Sequence, residues 1–214
     1  MKGNVLGDIR AEQDTRMLDE AFWESSDYRS LLESYDRPIV VGRRGTGKSA
    51  LAYRLSKYWG NKPKTAIIQI SPEEEQVIGL RDIFEQFGEK YLHIKAGTKM
   101  AWRYAIYMEV IIDIGSHYKY KNNLDISQIR EHFTSWGSKR QSISTKIRKK
   151  LKSIFDKDES EQSRIAELSD KLELDLIEEV LLEALEKSGI QYVVFADRLD
   201  EGYSPDNLGI AIVD

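Results

Sequence analysis

Cysteine is missing from the 214-residue sequence, which excludes a disulfide framework, a thiolate metal site and a cysteine nucleophile. Long apolar runs are missing too: none reaches the roughly 18 residues of a membrane span, and the charged N-terminal stretch lacks the apolar core of an export signal. The three histidines, His93, His117 and His132, do not have metal-ligand spacing and are expected to be structural or surface residues. We therefore expect a soluble, cytoplasmic protein with no membrane partner.

The composition, with 41% hydrophobic and 32% charged residues, is typical of a folded protein. A net charge of −4 excludes a nucleic-acid footprint over the whole surface but leaves room for a local one. One basic stripe lies in a segment with helical apolar spacing. We favour a helix with a solvated polar face there over a contact with nucleic-acid phosphates. The stripe consists of Lys139, Arg140, Lys146, Arg148, Lys149, Lys150 and Lys152.

Alternating β-rich and helical patterns predict an α/β protein. Three apolar runs have the character of strands, the first of them β-branched and suited to burial on both faces, and segments of helical spacing separate the three. The predicted strands are 39–41, 66–70 and 190–196, and the predicted helices include two short ones within 8–34 and longer ones at 77–91, 99–118 and 172–187.

The segment that follows the first predicted strand has the spacing of a phosphate-binding loop. Its glycines let the backbone curl so that successive N–H groups face phosphate oxygens, and the next helix adds its positive end. Lys48 is expected to reach the β and γ phosphates, and the Ser49 hydroxyl is expected to bind Mg²⁺. The predicted nucleotide-binding residues are Gly42, Arg43, Arg44, Gly45, Thr46, Gly47, Lys48, Ser49 and Ala50.

A second acidic motif follows the third predicted strand. Asp197 is the first carboxylate after that strand, at the edge of the sheet where ligands bind, and is the second expected Mg²⁺ ligand. Asp200 and Glu201 compete for the role of orienting or deprotonating the attacking water, and we favour Asp200. Many P-loop ATPases have Glu where Arg198 stands here. The alternative is that Asp200 and Glu201 form only a solvated turn.

Both motifs resemble those of bacterial P-loop ATPases related to the STAND and KAP groupings. The resemblance covers 11–51, with its Gly-Arg-Arg-Gly-Thr-Gly-Lys-Ser loop, and 195–202, with an aspartate-x-leucine-aspartate form of Walker B, together about a quarter of the chain. It implies use of ATP and Mg²⁺ and, in many such proteins, a role in antiviral defence systems. The lack of an Asn-Lys-x-Asp motif favours ATP over GTP.

Together these features predict a three-layer P-loop NTPase sheet with N-terminal helices and a long helical insert. The predicted function is ATP binding and Mg²⁺-dependent hydrolysis coupled to conformational change or to assembly with copies of itself or an effector protein. The alternative is a nucleotide-controlled switch with little turnover, and a small-molecule kinase is less favoured. We also expect the chain to be part of a longer protein. The predicted parts are a helical lead (1–36), the first part of the core (37–118), the basic insert (119–170) and the second part of the core (171–214).

Overall fold

Most described residues of the chain are helical. A computed structural model describes residues 18–20, 22–33, 39–43, 45–137, 141–155, 160–199 and 206–213. Those residues divide into two compact units: the first unit comprises the chain up to Gln69 together with Tyr192–Asp197, and the helical unit comprises Ile70–Gln191 together with the chain from Arg198 onward. The longer segment of the helical unit, Ile70–Gln191, thus interrupts the sequence of the first unit, and it contains the predicted insert, 119–170.

Two helices and a pair of strands make up the first unit. Ser25 caps the first helix because its hydroxyl accepts a hydrogen bond from the Tyr28 N–H. Phe22 packs edge-on against Tyr28 and lies beneath the Arg54 guanidinium of the second helix. The strands pair in parallel, which requires a long crossover, and the helical unit supplies it. The elements are α1 (Ser26–Glu33), α2 (Lys48–Gly60), β1 (Thr65–Ile70) and β2 (Gln191–Ala196).

The predicted three-layer sheet is wrong, since the described residues form a sheet of only two strands. The predicted strands at 66–70 and 190–196 are confirmed as β1 and β2. The predicted first strand is not, because residues 39–43 have no strand structure and the side chains of Ile39 and Val41 are 79% and 90% exposed. A β-branched run supplies strand propensity, but a strand also needs a hydrogen-bonded neighbour, and here propensity alone was misleading.

The helical unit is built around one long helix, α4, whose buried face is almost entirely apolar. The predicted helix at 99–118 is confirmed within it, and the predicted helix at 172–187 is confirmed as α9, which ends at Gly189. Helices α5, α6, α9 and α10 contact α4. The elements are α3 (Glu74–Phe84), α4 (Tyr91–Ser116), α5 (Arg130–Trp136), α6 (Ile143–Ile154), α7 (Glu161–Ala166), α8 (Leu168–Lys171), α9 (Leu174–Ser188) and α10 (Asn207–Val213), with 3-10 turns at Glu85–Phe87 and Lys121–Asn123.

No helix among the described residues is both long enough and apolar enough to cross a lipid bilayer.

Candidate functional site

The predicted phosphate-binding loop leads directly into α2. Gly45 and Gly47 have φ angles of +84° and +87°, in the left-handed region where a Cβ would be strained. Gly47 is the residue before the helix, and its carbonyl accepts the first helical hydrogen bond, from Leu51. The first N–H groups of α2 are therefore directed toward the loop, where the positive end of a 13-residue helix favours an anion.

Lys48 folds back over the loop. Its ammonium donates hydrogen bonds to the carbonyl oxygens of Gly42, at 2.7 Å, and Arg43, at 3.2 Å. The Arg43 carbonyl also accepts a bond of 2.8 Å from the Thr46 hydroxyl. These contacts hold the lysine cation against the backbone carbonyl groups of Gly42 and Arg43. An entering phosphate would meet a preformed positive site, since the ammonium needs only to exchange carbonyl partners for phosphate oxygens.

The two predicted Mg²⁺ ligands touch each other. The Ser49 hydroxyl, in the first turn of α2, donates a 2.7 Å hydrogen bond to the Asp197 carboxylate, which follows directly after β2. The two residues are 148 positions apart in the sequence, so the tertiary structure brings them together. Both belong to the first unit.

This oxygen pair fits Mg²⁺ better than a metal that needs a complete protein cage. No group of three or more His, Cys, Asp or Glu side chains able to hold a metal occurs among the described residues. Mg²⁺ characteristically binds through one or two protein oxygens and takes its other ligands from phosphates and water. Ser49 and Asp197 are therefore sufficient for a Mg²⁺ ion that arrives with a nucleotide, and insufficient for a structural metal.

The structure describes only some of the other predicted site residues. Ala50 lies in the first turn of α2 and Arg43 is exposed on the loop. Arg44, Asp200 and Glu201 lie outside the described residues, so the choice between the two carboxylates stays a prediction. Arg198, directly after Asp197, has a φ of +64°, which is uncommon for a residue with a long side chain.

The basic stripe does not form one solvated face. Lys146 is buried and its ammonium lies 2.6 Å from the Glu109 carboxylate. Lys150 is half-buried over the Tyr104 ring, and burial lowers its pKa. Lys149 and Lys152 are exposed. The expectation of a fully solvated polar face is corrected for these two inward lysines, because acidic and aromatic groups on α4 provide partners that helical periodicity does not reveal; Lys139 and Arg140 lie outside the described residues.

The sequence did not predict a series of hydrogen-bonded polar side chains in the helical unit. His132 Nδ1 lies 2.9 Å from the Tyr104 hydroxyl, and its Nε2 lies 2.9 Å from the Glu173 carboxylate. Tyr104 is almost completely buried, which raises its pKa, whereas Glu173 reaches solvent. Each contact joins residues at least 28 positions apart, so no local motif marks them.

Burial lowers the pKa of His132, and the nearby Lys150 cation lowers it further, against the opposing effects of Glu173 and Glu131. The unfolded chain therefore binds a proton more readily than the folded chain, and the stability contributed by neutral His132 is lost as the pH falls below about 6.5. We expect the free energy of unfolding, measured with urea, to decrease from pH 7 to pH 5, and to decrease less in His132→Gln.

His117 provides the control, because its side chain is exposed. His117→Gln should keep the pH dependence of the wild type. Equal slopes in His132→Gln and the wild type would show that other groups cause the loss of stability.

No protein-family model and no solved structure matches the chain. The "Putative transposon gamma-delta 80.3 kDa protein" of Escherichia coli (strain K12) is 40% identical over 213 residues, which are 99% of this chain and 30% of that protein. The chain is therefore similar, over nearly all of its length, to a part of this protein that amounts to about 30% of it.

Proposed function

We propose that the first unit binds ATP together with Mg²⁺ and hydrolyses it to drive a conformational change. The observation that carries the proposal is the hydrogen bond between Ser49 and Asp197. Ser49 and Asp197 were predicted from two different motifs to bind the same metal ion. An accidental glycine-rich turn would not explain why these two side chains are in contact.

The triphosphate is proposed to bind at the loop. Lys48 is the cation that is hydrogen-bonded to the loop carbonyls, and the N-terminus of α2 adds N–H groups and a partial positive charge. Within 42–49 the sequence has Arg43, Arg44 and Lys48 and no acidic residue. The local electrostatics therefore favour a polyanion over a neutral ligand.

Mg²⁺ is proposed to be held by the Ser49 hydroxyl and the Asp197 carboxylate. The ion neutralises charge on the β and γ phosphates when it is bound. The protein side chains then orient the triphosphate: Lys48 binds phosphate oxygens, and Ser49 and Asp197 hold the metal side. Asp200 or Glu201 is proposed to position the attacking water.

A second candidate is a nucleotide-controlled switch with little turnover. Arg198 favours it, because a cation stands where many related ATPases have the glutamate that activates water. We propose that either activity takes place in the cytoplasm and controls assembly with further copies of the chain or with an effector protein. Because the name of the Escherichia coli relative assigns that protein to a transposon, we propose that the nucleotide-dependent activity serves either the movement of mobile DNA or defence against it.

The first test is equilibrium binding of a fluorescent ATP analogue, with Mg²⁺, to the 214-residue chain and to Lys48→Ala. We expect the variant to lose at least tenfold in affinity, about 1.4 kcal/mol, because the ammonium is the group that exchanges its carbonyl partners for phosphate oxygens.

Lys149→Ala is the matched control, since it removes an exposed lysine far along the chain from the loop. It should bind like the wild type. If Lys48→Ala and the wild type bind with equal affinity, or neither binds, the proposed nucleotide site is wrong. Phosphate release by chains that do bind then separates an ATPase from a switch.

A further inference from the structure

Charge is segregated sharply along the sequence of the first unit. Between Asp36 and Glu73 the chain has eight basic residues and no acidic one, although the whole protein carries a net charge of −4. Three of the eight belong to the phosphate-binding loop, which leaves a surplus of cations that the nucleotide does not use. The eight are Arg37, Arg43, Arg44, Lys48, Arg54, Lys57, Lys62 and Lys64.

Part of this surplus forms a lysine–aromatic cluster at the C-terminal end of α2 and the turn that follows, made of Lys57, Tyr58, Trp59, Lys62 and Lys64. The Lys62 ammonium lies 4.4 Å from the centre of the Tyr58 ring, and the Tyr58 and Trp59 rings meet edge to face at 5.4 Å. Both rings are partly exposed. The cluster therefore presents cations and aromatic surface to solvent together.

Internal pairing accounts for some of these cations but not for all. Asp19 binds Arg54 and Lys57, yet Lys57 keeps 45% of its side-chain surface exposed. The negative end of α2 favours a cation in its last turn, which also accounts for Lys57. Lys62 and Lys64 follow the helix and are exposed.

Lys64 has a second unusual property. Its φ angle is +55°, in the left-handed region where glycine or asparagine is less strained. The Lys64 side chain is exposed, so packing in a core does not account for this conformation. The pairing of Lys62 with Tyr58 and the position of Lys64 both point to a role outside the folding of the unit.

We propose that the lysine–aromatic cluster binds single-stranded nucleic acid. Lys62 and Lys64 contact backbone phosphates, while Tyr58 and Trp59 offer ring surface to bases. Cations alone would suit any polyanion, including an acidic protein, but cations interleaved with partly exposed aromatic rings suit a strand whose bases are free to stack. Helix α2 is about 20 Å long, so the cluster and the phosphate-binding loop lie at its opposite ends and their ligands do not compete.

The test measures fluorescence anisotropy of a labelled 20-nucleotide oligothymidylate at several salt concentrations. Lys62→Ala/Lys64→Ala is expected to bind about tenfold more weakly than the wild type at low salt. Its log-affinity should also depend less steeply on log salt, by about 1.4, because each lost phosphate contact removes about 0.7 from the slope. Lys62→Gln/Lys64→Gln should behave alike, since it removes the charges and keeps the side-chain length.

Lys149→Ala/Lys152→Ala removes the same charge from exposed positions on α6 and should change the affinity less than twofold. Tyr58→Leu should weaken binding of the oligonucleotide more than binding of inorganic polyphosphate. Three results would overturn the proposal: no binding by the wild type, equal losses in the two lysine pairs, or binding of polyglutamate as tight as that of the oligonucleotide. ATP binding by the cluster variants is a separate readout, and it stays unchanged if the two sites are independent.

Discussion

Asp197→Asn is expected to lower the affinity for ATP in the presence of Mg²⁺ by at least tenfold, about 1.4 kcal/mol. The carboxylate is the anionic member of the proposed metal pair, and its 2.7 Å hydrogen bond with Ser49 places the two oxygens side by side, as the proposal requires. Hydrolysis, measured as phosphate release, should fall at least as far, since the metal neutralises charge that develops on the phosphates.

The metal-free measurement makes this prediction specific. With EDTA present, Asp197→Asn should bind ATP at least as well as the wild type, because a carboxylate without its metal repels the phosphates. Ser49→Ala should weaken Mg²⁺-dependent binding too. The losses in the double variant should be less than additive, because the two residues act through one ion. Equal losses with and without Mg²⁺ would contradict the metal assignment and indicate a purely structural role for Asp197.

The second large effect concerns stability. Glu109→Ala is expected to lower the free energy of unfolding by about 3–5 kcal/mol, because it leaves the Lys146 cation buried and unpaired. The Lys146 side chain is only 4% exposed, and Glu109 also accepts a 2.9 Å hydrogen bond from the Trp136 indole. Removing the carboxylate therefore leaves two buried donors, the Lys146 ammonium and the Trp136 indole N–H, without this acceptor. Urea unfolding followed by circular dichroism measures the difference.

Two variants check the cause. Replacing both partners in Glu109→Leu/Lys146→Met removes the unpaired charge as well as the pair, so its stability should lie within about 2 kcal/mol of the wild type. Lys187→Ala breaks an exposed pair with Glu183 and should change stability by no more than about 0.5 kcal/mol. If Glu109→Ala proves as mild as Lys187→Ala, the Lys146 ammonium has access to water and the burial argument is wrong.

Local sequence was a reliable guide where neighbours in the chain decide the structure. The glycines of the loop are a short-range feature, and so is α9, which ends close to the end of the predicted helix at 172–187. Strands β1 and β2 were also found, because apolar runs bounded by turn residues need little else to be recognised. The candidate metal ligands came from the same kind of reasoning: a hydroxyl after the lysine of a predicted phosphate-binding loop, and a carboxylate after an apolar strand.

Residues 39–41 show where that reasoning ended. Their β-branched side chains have the propensity of a strand, but a strand exists only when another one pairs with it, and pairing depends on the whole fold. The same limit applied to α6. Periodicity identified the apolar side of α6 correctly, since Ile147 and Leu151 are buried. Lys146 is buried as well, because its ammonium pairs with the Glu109 carboxylate on α4, and periodicity does not reveal that partner.

By itself the sequence determined the glycine-rich segment before α2 and the start of that helix. It also predicted a phosphate-binding role for that segment and the hydroxyl and carboxylate that could serve a metal, because each of these features depends on residues a few positions apart. The tertiary structure alone decided that β1 and β2 pair across the inserted helical unit. It also placed Ser49 beside Asp197, which is 148 positions away in the sequence. The tertiary structure alone also decided which cations are buried and which are exposed to solvent. These decisions depend on contacts between distant segments, and the free energy of such contacts depends on burial and geometry that no local pattern contains.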